Sequence, residues 1–274
     1  MTITTEIRQS KKAMEIEGMP NAKAYQKSKF KKILVWGPTG SGKTQLYTTL
    51  PGRKFVYMFD PSGLDTLAGE DIDYETFYHD SAIVIRRTPK GKKDLKGAKA
   101  TEPQAYNNFE VHLEPQLDKG FPDHDVIIFD SITTLFPSLM DRICHINSRF
   151  GAAPELADYL IAGNTLNTIF AQVCSLGKTV VVVGHNNLIQ DKVSRKIFNQ
   201  LDITKGVRSM LPRNMTDVWV TYAEAVGSKV IHKIQTSPTK EYPDVKNSFG
   251  FDPFIDVEVD PKKPRVGQGI GRYF

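Results

Sequence analysis

The stretch Gly37-Pro38-Thr39-Gly40-Ser41-Gly42-Lys43-Thr44 constrains the chain more than any other. It fits G-x-x-x-x-G-K-[ST], a loop that cradles phosphates. The preceding KKILVW (31–36) is β-branched and apolar over the length of a strand, and the following QLYTTL, beginning at Gln45, can continue as a helix. Strand, glycine loop and helix therefore come in the order that a phosphate site requires. Gly37, Gly40 and Gly42 let the backbone turn with no side chain in the way. The loop amides then face the phosphates, helped by the positive end of the helix. Lys43 is expected to reach the β- and γ-phosphates, and the Thr44 hydroxyl to hold Mg²⁺.

The length of 274 residues allows one decorated α/β domain or two small ones. With 40% hydrophobic and 24% charged residues, the composition is that of a soluble globular protein. The net charge of +5 is compatible with nucleic acid but is weak support alone. Cys144 and Cys174 show no metal-type spacing and read as small buried hydrophobes, which fits a reducing cytoplasm. No apolar run is long enough to span a membrane, and the N-terminus lacks a signal-type apolar core.

Residues 1–29 are polar and charged, and read either as a frayed terminus or as an arm that packs on a neighbouring subunit. KFVYMF (54–59) is a second strand, ending at Asp60, and AIVIR (82–86) a third. A basic insertion follows over 86–101. Within it RRTPKGKKDLKGAK (86–99) carries seven Lys/Arg, one Asp and no periodic apolar face, and is expected to be a mobile loop. A surface helix is expected over 103–119. DVIIFDS (125–131) then describes a buried parallel strand that ends in Asp130, the Walker B pattern, whose carboxylate can hold Mg²⁺ directly or through water. Amphipathic helices are expected at 132–149 and 154–176. KTVVVVGH (178–185) is a buried strand ending at His185, and 186–214 is polar and basic. Strands at 217–222 and 229–235 precede a tail, 251–274, expected to be flexible. The alternation predicts an α/β fold with a mostly parallel sheet flanked by helices.

Such folds host many functions, so the remaining site residues must discriminate. GTPases need an N-K-x-D stretch, which is absent. Small-molecule kinases are usually compact with an arginine-rich lid, whereas the 86–99 stretch is lysine-rich. AAA-plus ATPases place Glu directly after the Walker B Asp, where this chain has Ser131. RecA-type ATPases have Asp-Ser there and keep their catalytic glutamate after the second strand.

Taken in order, the P-loop, FDPSG (59–63), IIFDS, the apolar strand ending in GH, and VKNSF (245–249) resemble phage-type RecA-like ATPases. These are the single-strand-annealing recombinases related to RecA and RadA. The resemblance covers roughly residues 30 to 250. It implies a RecA-like core, ATP bound between subunits of a ring or filament, and single-stranded DNA as partner, with a single-stranded-DNA-binding protein as a further candidate. Carried over residue by residue, Lys43 and Thr44 grip phosphate and Mg²⁺, Asp130 the metal, and His185 senses the γ-phosphate. The segment 186–214 resembles a DNA-binding loop through Lys192, Arg195, Lys196, Lys205, Arg208 and Arg213. Lys233 and Lys246 are candidates for a cation supplied in trans. One departure stands out: Ser62 occupies the place of the family's acidic residue. The base is then Asp60, or Asp65 or Glu70 reaches in, or hydrolysis is slow.

The expectation is a DNA-recombination ATPase that oligomerises on single-stranded DNA and promotes annealing or strand pairing. The alternatives are a packaging or helicase-loading motor that reaches DNA through a protein partner, a P-loop kinase, and a binder with a degenerate site.

Overall fold

The computed structural model describes residues 29–80, 83–87, 93–100, 102–149, 153–190, 195, 197–227, 229–260 and 262–274. Strand β1 (Lys32–Gly37) is buried along its whole length. Its side chains alternate between two cores: Ile33 and Val35 enter one, Leu34 and Trp36 the other. This two-sided burial explains the unbroken apolar runs in β1, in β6 (Val126–Asp130) and in the first half of β7 (Thr179–Gln190).

The main sheet runs β11–β10–β9–β1–β7–β6–β2–β3, with β8 (Ile197–Leu201) paired to β7. β1 lies between β7 and β9 (Asp217–Val226), parallel to both. β2 (Lys54–Met58) and β3 (Asp73–Thr76) continue the parallel order beyond β6. β10 (Lys229–Gln235) and β11 (Phe254–Asp256) extend the other edge antiparallel. Helices α1 (Lys43–Thr48) and α2 (Gly63–Leu67) pack on one face. On the other lie α3 (Ala105–Lys119), α4 (Ile132–Ile146), α5 (Leu156–Ser175) and α6 (Lys205–Asn214). The α/β fold with a mostly parallel sheet is as the sequence predicts. Cys144 and Cys174 are unpaired.

Four local expectations are corrected. The basic stretch 86–99 is not all loop: β5 (Lys93–Ala100) pairs antiparallel with β4 (Ile83–Arg87) in a separate ribbon. Main-chain ladder bonds hold such a ribbon and require no apolar face. β3 adds a strand where no element is expected, since DYET is a polar edge strand, mostly exposed. β7 does not stop at His185 but runs to Gln190, and the rest of 186–214 is largely β8 and α6 rather than loop. The tail 251–274 is folded onto the body. Residues Gly269–Tyr273 form a 3-10 turn whose Ile270 is fully buried, and Gly271 N–H donates to Thr49 Oγ1 at 3.1 Å. Glycine makes the approach possible, since a Cβ on Gly271 would lie 1.8 Å from the Thr49 carbonyl oxygen. The arm 1–29 lies outside the described residues but for Lys29.

Candidate active site

The C-terminal ends of β1, β2 and β6 and the middle of β7 open onto one cleft of about 360 Å³. This is where parallel α/β sheets bind ligands. The P-loop forms one wall. Pro38, Thr39 and Gly40 are exposed, while Ser41 is buried and its hydroxyl bonds the Pro38 carbonyl at 2.7 Å and Thr221 Oγ1 at 2.6 Å. Gly37 passes so close to β9 that a Cβ there would sit 2.3 Å from the Thr221 carbonyl oxygen. Gly42 is the N-cap of α1 with φ +88°, so the loop turns into the helix through a conformation that glycine adopts without strain. Gln45 follows at the cleft's edge.

Lys43 is only 6% exposed. Its ammonium folds over the loop, donating to the Gly37 carbonyl at 2.9 Å and the Pro38 carbonyl at 2.7 Å. Burial draws its pKa down to about 8, against the opposing pull of the Asp130 and Asp60 carboxylates. A triphosphate would supply the counter-charge that this desolvated cation lacks.

Asp130, at the end of β6, is 2% exposed. One carboxylate oxygen, Oδ2, accepts hydrogen bonds from both Thr44 Oγ1 and Tyr47 OH, each at 2.9 Å. Burial pushes the Asp130 carboxyl upward, while these two hydroxyls favour its charged form. The Tyr47 hydroxyl is raised well above its ordinary range by burial and by the adjacent Asp130. Hydroxyl and carboxylate in direct contact beside a phosphate loop suit Mg²⁺, which takes few protein ligands and shares phosphate oxygens. Thr44 and Asp130 are thus the residues that would hold it.

Asp60 follows β2 and faces the same space. Its Oδ2 is 2.8 Å from His185 Nε2, its Oδ1 accepts from the Thr134 hydroxyl, and the His185 amide is held by Thr133 Oγ1 at 2.9 Å. Burial works to raise the Asp60 carboxyl, but bonds from His185 and Thr134 outweigh it and hold the pKa below the ordinary carboxylate range. Of the two other acids considered from the sequence, Asp65 is exposed and Glu70 is paired with Arg265 at 2.9 Å. Neither lines the cleft, whereas Ser62 does.

The structure thus brings Lys43, Thr44, Asp60, Asp130 and His185 together. It adds three residues that sequence reasoning missed. Tyr47 stands three residues after Thr44, so helical spacing alone would have put both on one face. Thr134 lies in the first turn of α4. His232, from β10, faces Gly42, and its Nδ1 is buried without a hydrogen-bond partner.

The basic residues of 186–214 scatter. Lys192 and Lys196 lie outside the described residues. Arg195, Lys205 and Arg213 are exposed. Arg208 is not a free surface cation: it is half-buried, its Nη2 donating to the Ile203 carbonyl at 3.0 Å. Lys233 pairs with Glu224 at 2.7 Å, and Lys246 donates to the Pro212 and Met215 carbonyls at the end of α6. Neither lysine lines the cleft of its own subunit.

A family model described as AAA domain matches residues 29–244. The chain belongs to the AAA domain family. It is an AAA-type P-loop ATPase domain, although the residue after its Walker B aspartate is the buried Ser131 rather than glutamate. No curated protein matches the chain. Among solved structures it is similar to the flagellar accessory protein FlaH from Methanocaldococcus jannaschii, at 13% identity and a TM-score of 0.41, over 85% of this chain and 88% of that one. No helix among the described residues of this AAA domain is long and apolar enough to cross a membrane.

Proposed function

We propose that this protein is a Mg²⁺-dependent ATPase that acts on single-stranded DNA as an oligomer, promoting annealing or strand pairing in recombination. The resemblance to phage-type RecA-like recombinases motivates the reading, and the path of β7 supports it best. That strand runs unbroken from Thr179 through His185, which meets Asp60 in the nucleotide cleft, to Gln190 beside the exposed Arg195. A change at the γ-phosphate therefore has a continuous strand leading to an exposed cation, whose carbonyl accepts from Gln190 Nε2 at 3.2 Å.

In this mechanism the P-loop amides and Lys43 hold the phosphates. A bound Mg²⁺ would supply charge neutralisation at the β- and γ-phosphates. Asp60, ionised and oriented by His185 and Thr134, accepts the proton of the attacking water as the bond from the γ-phosphorus to the bridging oxygen breaks. Exposed Arg195, Lys205 and Arg213 neutralise DNA phosphates without reading sequence. Both candidate trans cations have partners in their own chain, Lys233 in Glu224 and Lys246 in the Pro212 and Met215 carbonyls, so either would exchange a partner to reach a neighbour's γ-phosphate.

The inward turn of Arg208 leaves fewer free cations for DNA and favours one alternative, a motor that reaches DNA through a protein partner. ATP hydrolysis measured with and without single-stranded DNA, beside Lys43→Ala, separates the two. Stimulation that vanishes in the variant supports the recombination reading. Hydrolysis indifferent to DNA transfers support to the motor.

A further inference from the structure

On the face of the sheet opposite α1, β1 and β9 form the floor of a second cavity of about 190 Å³, smaller than the about 300–1,000 Å³ of pockets for drug-sized ligands and of a size for one small ring system. Leu34 and Val218 make its base, and Trp36, Phe198 and Tyr242 bring three aromatic rings to it. Trp36 and Tyr242 meet edge to face, with centroids 5.6 Å apart. The sequence placed Phe198 in a basic segment with no other ring. The fold supplies the other two, from β1 and from the stretch after β10.

Arg208 enters the same cavity from α6. Its Nη2 is used on the Ile203 carbonyl, but its Nε is buried with no hydrogen-bond partner. A buried guanidinium N–H without an acceptor is unfavourable unless something supplies one. Glu241 and Asp244 also line the cavity, so a phosphate is repelled there. What fits is planar, uncharged, able to stack and able to accept a hydrogen bond. A nucleobase has all four properties, and its own amino groups suit the two carboxylates.

We infer that the Trp36–Phe198–Tyr242 cavity, with Arg208 as hydrogen-bond donor, seats a base of single-stranded DNA. This rests on the DNA reading above and names how the strand is held: phosphates on the exposed cations, one base inside. The cavity is tied to the ATP cleft by side chains. Asn186, next to His185, donates from Nδ2 to Asn199 Oδ1 at 2.7 Å, and Asn199 Nδ2 donates to the Tyr242 hydroxyl at 3.0 Å.

The test compares oligo(dC) with an abasic oligomer of equal length, using fluorescence anisotropy for binding and tryptophan emission for the pocket. The second tryptophan, Trp219, is fully buried against the other core and serves as a constant background. The expected result is quenching by oligo(dC) only, lost in Trp36→Phe. Phe198→Ala and Arg208→Met should each weaken oligo(dC) binding about tenfold while leaving the abasic oligomer unchanged, the scale of one lost stack or buried donor. Unchanged abasic binding also certifies that the variants are folded. Equal affinity for both oligomers, with no quenching, overturns the base pocket and leaves the DNA reading standing. If neither oligomer binds, the DNA reading falls and the pocket with it. Quenching that depends on protein concentration without DNA assigns the cavity to a second copy of the chain and likewise overturns the inference.

Discussion

His185 Nε2 and Asp60 Oδ2 lie 2.8 Å apart in the nucleotide cleft, joining the middle of β7 to the turn that follows β2. The pair gives the site an oriented carboxylate where the sequence offers Ser62 in place of an acid. Asp60→Asn should therefore cut ATP hydrolysis by at least about 100-fold, the lower end of general-base contributions, with nucleotide affinity nearly unchanged. Single-turnover hydrolysis beside equilibrium binding checks this. An active Asn variant would remove Asp60 from the mechanism.

The depressed Asp60 carboxyl also sets a pH window. Its folded pKa lies below the unfolded value, so its contribution to stability is present above the unfolded pKa of about 3.9 and is lost as pH falls through the folded value. Hydrolysis should accordingly keep its base ionised throughout the neutral range and down to about pH 5. A rate that falls as pH drops from about 7 to about 6 would remove Asp60 as the base.

Burial lowers the Lys43 pKa to about 8. A polyphosphate favours its charged form, so binding ATP should draw a proton from solution at about pH 9 and far less at about pH 7. Calorimetry in buffers of different ionisation enthalpy measures that uptake. Lys43→Arg, which stays protonated, should abolish it.

Tyr47→Phe removes one of two hydroxyls on Asp130 Oδ2 and leaves Thr44 as the other. Residues that orient a metal ligand typically change metal affinity by about 10- to 100-fold. The Mg²⁺ concentration for half-maximal hydrolysis should rise about tenfold, with the maximal rate little altered. A Mg²⁺ titration tests it.

Gly271→Ala would place a methyl group against the Thr49 carbonyl at the end of α1. Overpacking of this kind costs about 1–3 kcal/mol. Urea denaturation should show the loss. An unchanged midpoint would mean that the C-terminal turn is not part of the cooperative unit.

The P-loop, Walker B strand and parallel sheet were legible because each rests on local patterns: glycine spacing, β-branched runs and strand-end carboxylates. Tyr47 was within reach through helical spacing. His232 was not, since β10 reads as an ordinary strand and only its register against β9 brings the ring to Gly42. The tail misled for a related reason. Its prolines, glycines and lysines look like a loop, and what anchors it is a backbone contact to Thr49 from a residue 222 positions away in sequence. Arg208 likewise reads as one cation among six, and only the packing of α6 turns it inward.

Adjacent residues of a strand point to opposite faces of a sheet. In β7 this puts His185 on Asp60 and Asn186 on Asn199. The sheet is usually thought of as the wall between two compartments. At this position the wall is a single peptide unit thick, and twisting that unit turns both side chains at once. On the proposed reading, Asp60 and the Tyr242 ring are then joined through one strand, with no hinge or helix between them.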